Sequence, residues 1–360
     1  MYMDQHEAEI DYFKRFSKWK IIIIFLVLLL ILTITFALTI GPMEIPAIDA
    51  YKIIFKKIPF LGNLLDNSNI SSIEETIVFT VRLPRIFSAA IVGIALSVAG
   101  VVLQALLRNP LADPYILGIS AGASLGASLA ITFGVGISFF GLLYSLPLMS
   151  FFSALCTVFM IYVISRNAKG INMISLLLVG IAINSFLLAV NSIIRLVSRD
   201  AIHTIMAWLF GSLVACDWNY VKMAFPFVAV GVIVIYYYAR DLNVLMLGEN
   251  EANHLGVDVN RLNKIMLLAS TLITAAAVSI SGIIGFVGLI IPHVIRILVG
   301  PDHRILIFSS GMAGATILIL CDTIARTIIS PAELPVGILT ALLGGPFFIY
   351  LMCRKKNYQV

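Results

Sequence analysis

Charge is scarce in this chain. Lys and Arg number 24 and Asp and Glu 19, so charged residues are 12% of 360, about half the share of an ordinary soluble domain. A conventional water-exposed surface is therefore excluded. Cysteine is limited to Cys156, Cys216, Cys321 and Cys353, without CxxC or other metal-type spacing, which removes a cysteine-built metal centre and leaves packing residues. No GxxxxGK[ST] phosphate loop occurs, so the chain does not bind ATP by that route. HExxH and His-rich clusters are also absent. An enzyme is the poorest reading, and neither a catalytic residue nor a metal site is expected. Deep ionisable residues are missing too, although ion-coupled carriers commonly hold them within the bilayer. Every acidic residue falls in a loop or near an expected helix end. Asp322 comes nearest to an exception, and Arg326 one turn later is placed to pair with it.

Apolar residues supply what charge does not: they make up 60% of the chain, and the mean hydropathy is +1.03. A helix crossing the roughly 30 Å hydrocarbon layer needs about 20 mostly apolar residues. Ten such runs can be placed, near 21 to 40, 81 to 107, 114 to 133, 139 to 164, 172 to 197, 218 to 239, 263 to 281, 283 to 300, 305 to 328 and 334 to 352. The first follows Lys14, Arg15, Lys18 and Lys20 like a signal peptide, but it is too long and lacks a small-residue cleavage site. The expected fold is an all-α integral membrane protein of ten transmembrane helices. An even number of crossings puts both termini on one side, and fifteen of the 24 Lys and Arg residues fall on that side. Both termini are therefore expected in the cytoplasm. The layout is a cytoplasmic segment 1–20, one ten-helix domain 21–353 and a cytoplasmic tail 354–360, in the cytoplasmic membrane. The net +5 reflects this bias and implies no nucleic acid.

The long outer loop, 41–80, reads as short amphipathic surface pieces. A second outer segment, 199–217, holds the run Ile205 to Leu213, too short to span and so interfacial or re-entrant. The one substantial cytoplasmic loop is 246–263. Glu249, Glu251, Ala252, Leu255 and Val257 there can form a short helix with a narrow apolar edge, and Gly256 can end it in the left-handed conformation. Such a helix either docks into a partner's groove or is a solvated connector. Gly118, Gly122 and Gly126 recur every four residues, and Gly93, Ser97, Gly100 and Gln104 trace one helical face. Small residues let membrane helices approach, so these stripes read as packing unless they meet a cavity. The glycines of 281–288 and Pro292 mark a helix that can bend or break, with His293 as a hinge residue more readily than a metal ligand.

Several blocks in order then resemble one family. Arg82-Leu-Pro-Arg85 leads into Gly93, Leu96, Gly100 and Gln104, then Asn109-Pro-Leu-Ala-Asp-Pro114 and Leu117-Gly-Ile-Ser-Ala-Gly-Ala123. Later blocks are Gly248 to Ala252, Leu255-Gly-Val257, Gly285 to His293, Gly300-Pro-Asp-His-Arg304, Glu333 to Thr340 and Gly345 to Ile349. Across 20–353 the chain resembles the FecCD family, permease subunits of ABC importers for iron-siderophores, haem and cobalamin. The resemblance implies a two-fold permease dimer, two ATPase subunits beneath that carry ATP and Mg, and a substrate-binding protein outside. Arg82, Arg85 and Arg326 match arginines that receive acidic knobs of the binding protein; otherwise Arg82 and Arg85 anchor a helix in head groups and Arg326 neutralises Asp322 or Glu333. Glu249, Ala252, Leu255, Gly256 and Val257 match a coupling helix that sits in the ATPase cleft. Asn109 and Leu111 match an inner gate; otherwise they are a helix cap and an apolar contact. The implied cargo is a metal chelate, an iron-siderophore first and cobalamin or haem next. An ion-coupled carrier and a non-transporting scaffold are the competing readings.

Overall fold

The computed structural model describes residues 5–57, 71–134, 145–167, 170–198 and 200–356. The middle of the outer loop (58–70), the start of the fourth expected run (139–144), Lys169, Arg199 and the chain ends (1–4 and 357–360) lie outside the described residues. Helices dominate: α1 Gln5–Thr39, α2 Ala47–Lys56, α3 Ser72–Thr76, α4 Leu83–Leu106, α5 Ile119–Phe133, α6 Ser145–Ser165, α7 Met173–Val197, α8 Ile202–Leu209, α9 Trp218–Tyr237, α10 Ala239–Leu245, α11 Glu249–His254, α12 Val259–Ser281, α13 Val287–Val299, α14 His303–Ala325 and α15 Val336–Lys356. The only pairing of extended backbone among the described residues is a two-residue hairpin, Arg166–Asn167 against Gly170–Ile171. Among the described residues, seven helical stretches are long and apolar enough to cross a membrane, and α5, α13 and the apolar part of α15 are shorter apolar helices.

The second run starts earlier than its hydropathy predicts. Ser71 accepts a hydrogen bond from the backbone while Glu74 reaches back to the Ser71 N–H, a capping box that opens the helix at Ser72. A π-helical stretch, Ile77–Arg82, then leads into α4. Pro84 near the head of α4 lacks a backbone donor, and the wider π turn accommodates the interruption without ending the helix. The outer loop accordingly ends near residue 71 rather than 80. Its first half does form an amphipathic piece, since α2 buries only Ala50 and Ile53.

α4, α12 and α14 form the buried centre, and α7 exposes most of its apolar surface. The stripe on α4 shows why. A side chain at Gly93 would collide with the Gly314 carbonyl of α14, and one at Gly100 with the Gly288 carbonyl of α13. Ser97 lies against Gly314, and Gln104 Nε2 donates to the Leu289 carbonyl at 3.1 Å. All four stripe residues therefore serve contact between α4 and the α13–α14 pair. Gly122 and Gly126 play the same part between α5 and α6, facing Thr157 and the Met149 backbone.

The helix break expected around 281–293 occurs before Pro292, which lies inside α13. Non-helical backbone runs from Gly282 to Phe286, where Gly282 (φ 67°) and Phe286 (φ 69°) are left-handed. Bare backbone groups at such a break need partners away from water. The Tyr115 hydroxyl donates to the Ile284 carbonyl at 3.0 Å and accepts from the Ile284 N–H at 3.2 Å. Ser212 N–H donates to the Ser281 carbonyl at 2.8 Å, and Gly337 N–H to the Gly211 carbonyl at 3.2 Å. The loop after α8, the α12–α13 break and the head of α15 thus meet. α8 is the short helix expected inside 199–217, shifted a few residues earlier. Of the cysteines, Cys216 and Cys321 are buried as packing residues, whereas Cys156 and Cys353 are exposed, because outward apolar surface in such a bundle suits lipid as well as core.

Candidate functional site

The three arginines singled out by sequence come together, but they turn inward. Arg82, Arg85 and Arg326 are 3%, 5% and 4% exposed. α1 ends at Thr39, and its last carbonyls have no partner within the helix. Arg82 donates to the carbonyls of Leu38, Thr39 and Met43, and Arg326 to that of Ala37. Two guanidinium groups therefore close the negative end of α1, where cations are favoured. Arg85 makes the ion pair expected of Arg326: its Nε lies 2.8 Å from Asp322 Oδ2 and its Nη2 2.9 Å from Oδ1, a bidentate fork. Its Nη1 donates to Glu333 Oε2 at 2.7 Å. Among the described residues no ion pair joins Arg326 to Asp322. Spacing along α14 favoured that pair, but packing sets Arg85 of α4 across from Asp322 instead. Of the two acids, Asp322 is buried and Glu333 is partly exposed.

At the other end of α4, the chain turns through Arg108 in a left-handed conformation (φ 46°). The Arg108 N–H donates to the Ala105 carbonyl and the Asn109 N–H to that of Gln104, the paired bonds of a Schellman cap with arginine at the position glycine usually takes. The Asn109 side chain accepts from the Leu111 N–H at 3.0 Å. Asn109 is exposed and Leu111 half-buried, so both residues sit in a defined turn. Asp113 next in this turn caps the short 3₁₀ turn Pro114–Leu117 by accepting from the Tyr115 N–H at 2.8 Å. Burial pushes the Asp113 carboxyl up to about 6, outweighing the lowering by that N–H.

The 246–263 loop contains the expected short helix, α11. Ala252 is fully buried beneath it, whereas Leu255 is 64% exposed. Gly256 is left-handed (φ 86°). The Gly256 N–H donates to Asn253 and the Val257 N–H to Ala252, a Schellman cap in which glycine ends the helix as its sequence position implied. Val257 packs against the core while Glu249 stays exposed. Met246, Leu247 and Leu255, all large, apolar and exposed, surround this helix. The structure also brings two expected sites together: Arg108 Nη2 lies 3.9 Å from Glu249 Oε1, linking the turn after α4 to α11. Both partners are exposed, so this pair orients more than it stabilises.

One support was missed in the sequence. Asn243 of α10 donates to Asp302 at 2.9 Å and accepts from the His303 N–H at 2.8 Å. Asp302 caps α14 and is bound by Arg304. Burial raises the Asp302 carboxyl, but its bonds to Arg304 and Asn243 win and hold it at about 2. The Gly300-to-Arg304 motif thereby anchors α10, the element immediately before α11. Asn243 carried no signal, because its partner stands 59 residues away.

Residues 28–354 match the FecCD transport family. Over 282 residues the chain is 44% identical to the cobalamin import system permease protein of Halobacterium salinarum, covering 78% of this chain and 74% of that protein. Over 280 residues it is 41% identical to the hemin transport system permease protein of Yersinia pestis, covering 78% and 84%. Among solved structures, an inward-facing metal-chelate type ABC transporter superposes with a TM-score of 0.80 at 33% identity, over 93% of this chain and 99% of that one. With this helix order, this broken α12–α13 pair and matched blocks along nearly its full length, the chain belongs to the FecCD transport family of ABC transporter permeases.

Proposed function

We propose that this permease carries a metal chelate inward by alternating access, driven by a separate ATPase. In this reading the chain crosses the cytoplasmic membrane ten times with both termini inside, and α5, α13 and α15 complete the seven longer crossings. A second copy completes the pathway, two ATPase subunits holding ATP and Mg sit beneath, and a substrate-binding protein delivers cargo from outside. The observation that carries the proposal is α11: a short helix seated through Ala252, ended by Gly256 and presenting Leu255 to solvent. An exposed leucine on a helix so firmly seated suits a groove in a partner. Motion there reaches the turn of Asn109 and Leu111 through Arg108 and Glu249, which gives a gate at that turn a mechanical link to the ATPase.

The relatives named for cobalamin and hemin share a cargo type, a metal wrapped in organic ligand, and an iron-siderophore is of the same type. A bulky chelate calls for a wide, weakly attractive path, because strong binding slows exit. Docking of the binding protein falls on the outer end of α4 and α14. There Arg82, Arg85 and Arg326 place three positive charges beneath the surface against Asp322 and Glu333, and such a field orients an acidic partner more than it adds affinity. The ion-coupled alternative asks Asp322 to titrate, and its bidentate pairing with Arg85 weakens that role.

Replacing Leu255 with Asp tests the proposal. The ATPase should no longer purify with the permease in mild detergent, and ATP-dependent chelate uptake into proteoliposomes should fall to background. Unchanged co-purification would remove α11 from the interface, and uptake driven by an ion gradient without ATP would overturn the importer.

A further inference from the structure

We propose that the groove between α6, α9 and α12 is a binding site for one anionic glycerophospholipid, with an acyl chain in the groove and the phosphate held by Lys264 and Tyr162. The cleft has a volume of about 610 Å³, within the range of sites that hold small molecules. Val158 and Phe159 of α6, Val234 of α9 and Leu268 and Leu272 of α12 are among its walls. From Lys264 to Leu272 it runs along roughly 12 Å of α12. The walls are almost wholly apolar, and Phe159 and Leu268 are each 66% exposed, so the cleft opens toward the surroundings of the bundle.

Its charge is confined to Lys264 at one end; Thr271, near the other end, also lines the groove and keeps its hydroxyl buried. α6 reaches its last turn at Tyr162, and α12, to which it packs, begins just before Lys264. Both polar groups line the groove. Among the described residues neither the Lys264 ammonium nor the Tyr162 hydroxyl has a hydrogen-bond or ion-pair partner. A cation and a phenol without an acceptor, at the end of an apolar groove, match an anionic head group above a hydrocarbon tail. A Lys stem reaching along the apolar wall brings its charge to that level, and basic residues at this depth favour anionic lipid. A docked apolar helix would gain nothing from two unpartnered donors.

The test uses the full-length permease carrying Leu268→Trp, reconstituted in phosphatidylcholine vesicles with brominated phosphatidylglycerol or brominated phosphatidylcholine. The wild-type signal of Trp19, Trp208 and Trp218 is subtracted. Quenching of the new tryptophan should show about a fivefold preference for the anionic lipid, and Lys264→Gln in the same background should bring the preference close to one. Equal quenching by the two lipids, or a preference that survives Lys264→Gln, would overturn the site. A tryptophan that neither lipid reaches would assign the groove to a protein segment instead. Native mass spectrometry of the unmodified permease, released from mixed bilayers, reads the same answer without substitution at the groove: retained phosphatidylglycerol supports the site and its absence refutes it.

Discussion

At the scale of single residues, the decisive pair is Arg85 and Asp322. Both are buried, and each satisfies the other through two parallel bonds. Removing one member of such a pair strands an uncompensated charge, at a cost of about 3–5 kcal/mol. Asp322→Ala should therefore lower the thermal stability of the detergent-solubilised permease by that order, while Glu333→Gln, at the accessible rim, should leave it nearly unchanged. Equal stability for Asp322→Ala and wild type would show that the pair is dispensable. Charge reversal at Arg82 is a poor probe of docking, because the same guanidinium closes the end of α1. The sequence marked all three arginines as a set, and packing turns them inward around the end of α1 and Asp322. It could not mark their direction, since the α1 carbonyls bound by Arg82 stand 44 and 43 residues away, the one bound by Arg326 stands 289 away, and the Asp322 bound by Arg85 stands 237 away.

At the scale of elements, α14 shows how a cap reaches beyond its own helix. Asp302 ends the Gly300 turn, starts α14 and holds α10 through Asn243. Its carboxyl lies at about 2 against an ordinary 3.8, so its charged form is favoured in the folded state. That contribution is present above pH 4 and is lost as the pH falls from about 4 toward 2. Asp302→Asn should accordingly flatten the acid limb of a stability-versus-pH profile relative to wild type, with the difference between the two proteins shrinking below pH 4. Identical acid limbs would refute the anchoring role. Most helix runs were legible in hydropathy to within a few residues; the exceptions are the first, since α1 already begins at Gln5, and the second. The capping box of Ser71 and Glu74 that opens it was readable as a motif, but it sits in a polar stretch that hydropathy assigns to a loop. The break at 282–286 was legible as glycine, and its partners Tyr115 and Ser212 were not.

At the scale of the whole molecule, burial is unequal. α4 and α14 are locked by glycine contacts, while α7 and α15 present Leu196, Val197, Leu342 and Leu343 outward. At the head of α15 lie the loop after α8 and the α12–α13 break, where irregular backbone is tolerated beside a cavity or a partner. The second copy proposed above predicts that two differently tagged copies expressed together co-purify through either tag. Recovery of only one tag, with the ATPase still bound, would argue for a related but distinct second permease. The sequence by itself determined the membrane character, the helix runs, the family and the cap at Gly256, because hydropathy, spacing and local backbone preference act over a few residues and are written locally. Only the tertiary structure decided that Arg85 takes Asp322, that Arg82 and Arg326 close α1, that Tyr115 binds the α12–α13 break and that a groove ends at Lys264. Those contacts form between helices far apart in the chain, and their partners are chosen by packing, which no local pattern encodes.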